Sequence, residues 1–234
     1  TKTGSLKPLL KSNVGCKVRS ITVRGNQNRE VMEQLSACTG NVKQLTISYS
    51  TNCKDWLTAD ILSRWKLEVI SIYGGYLTLP LVSLLVQTCT ELTSIKLYSD
   101  NIDDSAAIAI AQHCPKLETL LLRSSNITWT SLLDLSERGL PLEELDIDFI
   151  PNIPTADIAR RCSHALSCIR HIRTDNLHQN GQDATILIPY MAGLNSLFLQ
   201  KYCDSYIPLL TQHCHKLTKI DVRDINYTVI DLLS

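Results

Sequence analysis

The strongest constraint on this chain is a spacing. Apolar residues at relative positions 1, 4 and 6 recur as Val18-Ile21-Val23, Val42-Leu45-Ile47, Leu67-Ile70-Ile72, Leu92-Ile95-Leu97 and Leu117-Leu120-Leu122. Leu142-Leu145-Ile147, Leu194-Leu197-Leu199 and Leu217-Ile220-Val222 continue the series. One further run, Leu166-Ile169-Ile172, is spaced by three and three, as if an extra residue bulged a strand. The last apolar residue of each run stands at 23, 47, 72, 97, 122, 147, 172, 199 and 222. Steps of 24, 25, 25, 25, 25, 25, 27 and 23 mean nine copies of one supersecondary unit.

Each copy continues alike. Asn101, Asn126 and Asn226 precede an apolar or aromatic residue where the chain should turn out of a strand. A helical stripe follows, with apolar residues at i, i+3, i+4 and i+7. Val82, Leu85, Val86 and Cys89 show it, as do Ala107, Ile110, Ala111 and Cys114, and Ile158, Ala159 and Cys162 give its last three places. Asp104-Ser105, Thr155, Thr58, Pro80 and Pro208 suit helix starts. No Gly-rich linker or charge block divides residues 1–234, which read as a single domain.

A unit of about 25 residues with L-x-x-L-x-L before a helix resembles the leucine-rich repeat family. A Cys closing the helix, as in "LLVQTCTELTSIKL" and "AIAQHCPKLETLLL", resembles the cysteine-containing subclass found in F-box proteins. Where that subclass often has another Cys after the strand, this chain has Ser125, Ile150 or Gly75. The resemblance implies an α/β solenoid, a horseshoe with a parallel sheet on its concave face and helices on its convex face. It also implies a substrate-receptor role in an F-box-type ubiquitin ligase. Repeat arrays need polar caps, and neither "SLKPLLKSNVGC" nor "INYTVIDLLS" reads as one, so the expectation is a section of a longer protein with further repeats or domains.

Chemistry is argued against by the same repeat. Cys38, Cys89, Cys114, Cys162 and Cys214 share the end of the helical stripe, where a thiol is a small core filler. His113 and His213 should be their outward neighbours. Cys162, His164, Cys168 and His171 form the best metal candidate by count, yet the stripe buries Cys162 while His171 faces off the sheet. Cys203, His213, Cys214 and His215 fare no better. Gly74-Gly75 lacks the remainder of a phosphate loop. Asp103-Asp104 suits a helix start. The expectation is no catalytic residue, no metal and no cofactor.

The formal net charge is zero, so no long-range field attracts nucleic acid, and no apolar run approaches the ~20 residues that insert into a membrane. Nine cysteines, an odd number in a chain with ample core, favour reduced thiols and a cytoplasmic or nuclear setting. The acceptor patterns at Asn126-Ile-Thr128 and Asn226-Tyr-Thr228 speak for the alternative, an extracellular or cell-surface recognition receptor.

What remains is the outward face of the sheet. The column after the third apolar position reads Arg24, Ser48, Tyr73, Tyr98, Arg123, Asp148, Arg173, Gln200 and Arg223. The column before it reads Thr22, Thr46, Ser71, Lys96, Leu121, Asp146, His171, Phe198 and Asp221. Tyr and Arg dominate interface hot spots because they join large area to a polar handle. Tyr73, Tyr98, Leu121, Arg123, Asp146, Asp148, Arg173 and Phe198 are therefore the expected partner-binding residues, with Glu144, Asp146 and Asp148 as an acidic strip. The expected partner is a protein or peptide on the concave face, one with an apolar or aromatic anchor and some basic residues. The same residues would also stabilise a sheet by cross-strand pairing alone.

Overall fold

The computed structural model describes residues 17–49, 53–74, 77–123, 126–147, 155–174, 184–201 and 206–224. Nine strands form one parallel sheet in chain order. They are β1 (Ser20–Arg24), β2 (Gln44–Ser48), β3 (Val69–Tyr73), β4 (Ser94–Tyr98), β5 (Thr119–Arg123), β6 (Glu144–Ile147), β7 (Ile169–Thr174), β8 (Ser196–Lys201) and β9 (Lys219–Asp224). The second and third apolar residues of each run lie within a strand, and the first lies just before it except Leu166, which lies in the helix Ser163–Cys168. Alternation then decides which side is buried. Leu45, Ile47, Ile70, Ile72, Ile95, Leu97, Leu120 and Leu122 are each no more than 1% exposed. Each such side chain stabilises the fold by roughly 1.5–3 kcal/mol.

Helices cover that buried side. They are α1 (Arg29–Cys38), α2 (Cys53–Trp56), α3 (Ala59–Ser63), α4 (Leu79–Thr88), α5 (Asp104–His113), α6 (Trp129–Glu137), α7 (Ala156–Arg161), α8 (Ser163–Cys168) and α9 (Tyr206–His213). Thr58 and Thr155 are N-caps, each accepting a bond from the amide three residues on. The helix α5 starts at Asp104, as expected, and its cap is Asp103, which accepts from the Ser105 and Ala106 amides. Freed from capping, Asp104 reaches the next unit. Its carboxylate accepts from the Thr128 amide at 2.7 Å and from the hydroxyls of Thr128 and Ser131. Thr128 is itself the N-cap of α6, so one carboxylate ties two helix starts together.

The turns before the strands are stitched too. The Glu68 amide donates to the Lys43 carbonyl, Thr93 to Glu68, Glu118 to Thr93 and Glu143 to Glu118, all at 2.8–2.9 Å. Exposed ion pairs Lys43–Glu68, Lys116–Glu91 and Arg161–Glu137 also join successive units.

Two expectations need correction. Cys38 does not occupy the buried place at the end of the stripe; it is half-buried, and its thiol lies 2.8 Å from the Gln34 carbonyl. Thr39 takes that place, fully buried. Its hydroxyl donates to the Leu35 carbonyl and accepts from Trp65 Nε1 at 3.1 Å. Thr39 precedes Val42 by three residues, as Cys89 precedes Leu92, whereas Cys38 is one residue too early.

The second correction concerns register. In β7 the extra residue is Arg170, skipped where the partners change from Leu145↔Ile169 to Asp146↔His171. Beyond it, Ile172 pairs with Leu197, not Leu199. The step there is 25, and Phe198 lies beside Arg173 instead of His171.

Candidate functional site

The side of the sheet opposite the helices carries the residues between the buried ones. In-register parallel pairing lines them up one strand apart, about 4.8 Å. The first column therefore runs Arg24, Ser48, Tyr73, Tyr98 and Arg123 across β1 to β5, and resumes as Arg173, Phe198 and Asp221 across β7 to β9. The second runs Thr22, Thr46, Ser71, Lys96, Leu121, Asp146, His171, Ser196 and Lys219.

Tyr73 and Tyr98 meet, with ring centroids 4.6 Å apart and planes inclined by 30°. Both are half-buried, so each ring keeps one side for its neighbour and another for solvent. Leu121 departs from expectation. It lies on this side but is only 8% exposed, and it is absent from the main core cluster. Neighbours on the face cover it, so it supplies little free surface to a partner. Arg123, Asp146, Arg173 and Phe198 are placed by their backbone register alone. Asp148 lies outside the described residues. Of the acidic strip, Glu144 is half-buried beside Thr119, and Asp146 sits between Leu121 and His171.

One residue of this region escapes an alignment made on apolar positions. Tyr49 follows β2 and is 83% exposed, with φ at 56°. The same place after β1 and β3 holds Gly25 and Gly74, with φ at 66° and 71°. In all three the amide donates to the neighbouring strand: Gly25 to Ser48, Tyr49 to Tyr73 and Gly74 to Tyr98. These three turns take a left-handed residue, which glycine adopts freely and a side-chain-bearing residue only at a cost of roughly 1–2 kcal/mol. The signal was present in the sequence, a tyrosine where the flanking copies have glycine.

The buried thiols are held in the protonated form. Burial pushes Cys89 up to about 11, and burial, then the neighbouring Cys89, pushes Cys114 up to about 12. Cys162 rises to about 11, chiefly through burial. Burial also raises Cys53, Cys168 and Cys214. A reactive thiol needs the opposite environment. Members of the best metal candidate by count are engaged elsewhere. Cys168 Sγ donates to the Leu142 carbonyl at 2.8 Å, His164 Nε2 to the Leu140 carbonyl at 2.8 Å, and His171 Nδ1 meets Ser196 Oγ at 2.6 Å. Among the described residues, no three His, Cys, Asp or Glu side chains are grouped as a metal ion would require. His113 and His213 are half-buried at helix ends. Cys203 lies outside the described residues.

Asn126 donates from Nδ2 to the Asp100 carbonyl at 2.6 Å, the turn role expected of it. Asn226 lies outside the described residues. No helix among them is long and apolar enough to cross a membrane.

No family model matches the chain, and no curated protein does. Its fold is nevertheless found among solved structures. A chain from the crystal structure of the Rad7 and Elc1 complex in yeast is similar over 88% of this chain, with a TM-score of 0.50 and 16% identity. This chain spans 63% of that one's length. The tropomodulin C-terminal domain of Caenorhabditis elegans matches over 70% of this chain and 93% of its own, at 10% identity and a TM-score of 0.40.

Proposed function

We propose that the chain is a non-enzymatic recognition scaffold of the leucine-rich repeat type, a solenoid whose uncovered sheet face is concave and binds a protein or peptide. The observation that carries this reading is the stacked Tyr73–Tyr98 pair on a face that no helix among the described residues covers. Offset aromatic pairs contribute about 0.5–1.5 kcal/mol beyond area burial, so stacking accounts for the rings meeting. It does not account for placing the most hot-spot-prone residue types in the middle of an open sheet.

Tyr73→Ala with Tyr98→Ala tests it. Partner capture should fall at least about thirtyfold, the loss of a hot spot of 2 kcal/mol, while the melting temperature moves by only a few degrees. Full capture by the double variant would place the site elsewhere.

The finer reading is an intracellular substrate receptor of an F-box-type ubiquitin ligase. It is supported by the subclass resemblance, by the yeast neighbour's having been solved as a complex, and by seven described cysteines that are all unpaired. Asn126 carries the second reading, a surface receptor, since it is exposed within an acceptor pattern. Counting thiols in denaturant decides between them: nine free thiols support the intracellular reading, and paired cysteines support the receptor.

A further inference from the structure

The uncovered face is not uniform in charge. From β1 to β5 its outward positions include Arg24, Lys96 and Arg123 and no carboxylate. Carboxylates resume at Glu144 and Asp146 in β6, and Asp100 stands beyond the end of β4. On the rim before the strands, Glu68 and Glu91 are already held by Lys43 and Lys116, which leaves the exposed Glu118 before β5 against the basic residues of the face. Three tyrosines sit within this basic half. Two are stacked, and the third, Tyr49, is 83% exposed at a left-handed position where the adjoining copies use glycine.

A large ring kept in water at a strained position stabilises nothing in the free chain. Strain of this kind collects where a surface does something else. We infer that Tyr49 extends the Tyr73–Tyr98 pair into a three-tyrosine platform, and that its occupant is an acidic polypeptide segment bearing aromatic side chains. The inference rests on the recognition reading above and adds the partner's chemistry. Carboxylates of the segment face Arg24 and Lys96, and its rings pack on the tyrosines, which also combine apolar area with a hydroxyl.

The probe is a fluorescein-labelled random Glu/Tyr copolymer titrated with the 234-residue chain, read by fluorescence anisotropy. Poly-Glu, a Lys/Tyr copolymer and oligothymidylate serve as comparators. The Glu/Tyr copolymer should bind best, and its affinity should fall as salt rises. Tyr49→Gly should weaken it about tenfold while raising the melting temperature, because glycine suits the turn; Tyr49→Asn should act alike. Lys96→Glu should weaken binding, and Lys219→Glu, at the far end of the sheet, should not.

Equal affinity for the parent and Tyr49→Gly, with loss in Tyr73→Ala/Tyr98→Ala, would overturn the role of Tyr49 and leave the recognition face standing. Unchanged affinity in all these variants would overturn both. Preference for the Lys/Tyr copolymer or oligothymidylate, or no binding of the Glu/Tyr copolymer, would overturn the acidic partner alone.

Discussion

The units around β3 to β5 and those around β6 to β8 build the same sheet with different connections. In the first region, α4 and α5 are ten-residue helices, each with a buried Cys as C-cap and a short turn before the next strand. In the second, the helix is broken at Cys162 into α7 and α8, and α8 ends at Cys168 where β7 begins at Ile169. No linker is left, and Arg170 bulges to restore register. Two 3-10 turns, Ala184–Ile186 and Ile188–Tyr190, then stand before β8. Through both regions Leu97, Leu122, Ile147, Ile172 and Leu197 stay aligned 25 residues apart. Strand pairing is what every unit must satisfy, and the outer layer adapts to it.

The largest effect that could break this comparison is a core deletion in each region. Leu120→Ala should cost ~4 kcal/mol and Leu197→Ala ~2 kcal/mol, because the less regular surroundings of Leu197 can relax into the space. Equal urea midpoints would show that the two regions pack equally tightly. Next comes Gly193→Ala. A Cβ there would lie 1.8 Å from Arg170 Nη1 and 2.2 Å from the Ser167 carbonyl, and the backbone must shift at a cost of about 1–3 kcal/mol. Gly40→Ala, whose nearest neighbour would be the Arg64 carbonyl at 3.9 Å, should be nearly neutral in the same thermal melt.

Thr39→Val should cost about 1–3 kcal/mol by leaving the buried Trp65 Nε1 without its acceptor. Trp65→Phe in the Thr39→Val background should cost less than the two changes summed, which a double-mutant cycle measures. Asp104→Ala should cost about 1–2 kcal/mol, since the start of α6 loses the acceptor of the Thr128 amide and of the Thr128 and Ser131 hydroxyls. Lys43→Gln, at an exposed ion pair, should move the midpoint by under about 1 kcal/mol.

The parallel α/β ladder was legible because a period of 25 and an alternation of two are both written in the apolar residues. The bulge at Arg170 was legible for the same reason, as a spacing that exceeds the rule by one. Leu121 was not, since its burial depends on side chains of neighbouring strands that no local pattern encodes. Phe198 was misplaced because two apolar positions, Leu197 and Leu199, satisfy the same pattern, and only pairing chooses between them. Cys38 was misassigned because residue type drew more weight than distance to the next apolar residue. Tyr49 needed φ, which a row of side chains does not give.

Bonds that fasten one unit to the next, from Gly25–Ser48 to Asp104–Ser131, join residues 23 to 27 positions apart. Their loops close early and at similar entropic cost wherever along the chain they form. Folding can thus begin at any adjoining pair of units and spread both ways like a zip, and unfolding can start by fraying from an end. Excising one whole period, residues 94–118, would bring Thr93 before Thr119 with the ladder still in step, so the length of the sheet is a quantity that can be changed by simple addition or removal of rungs.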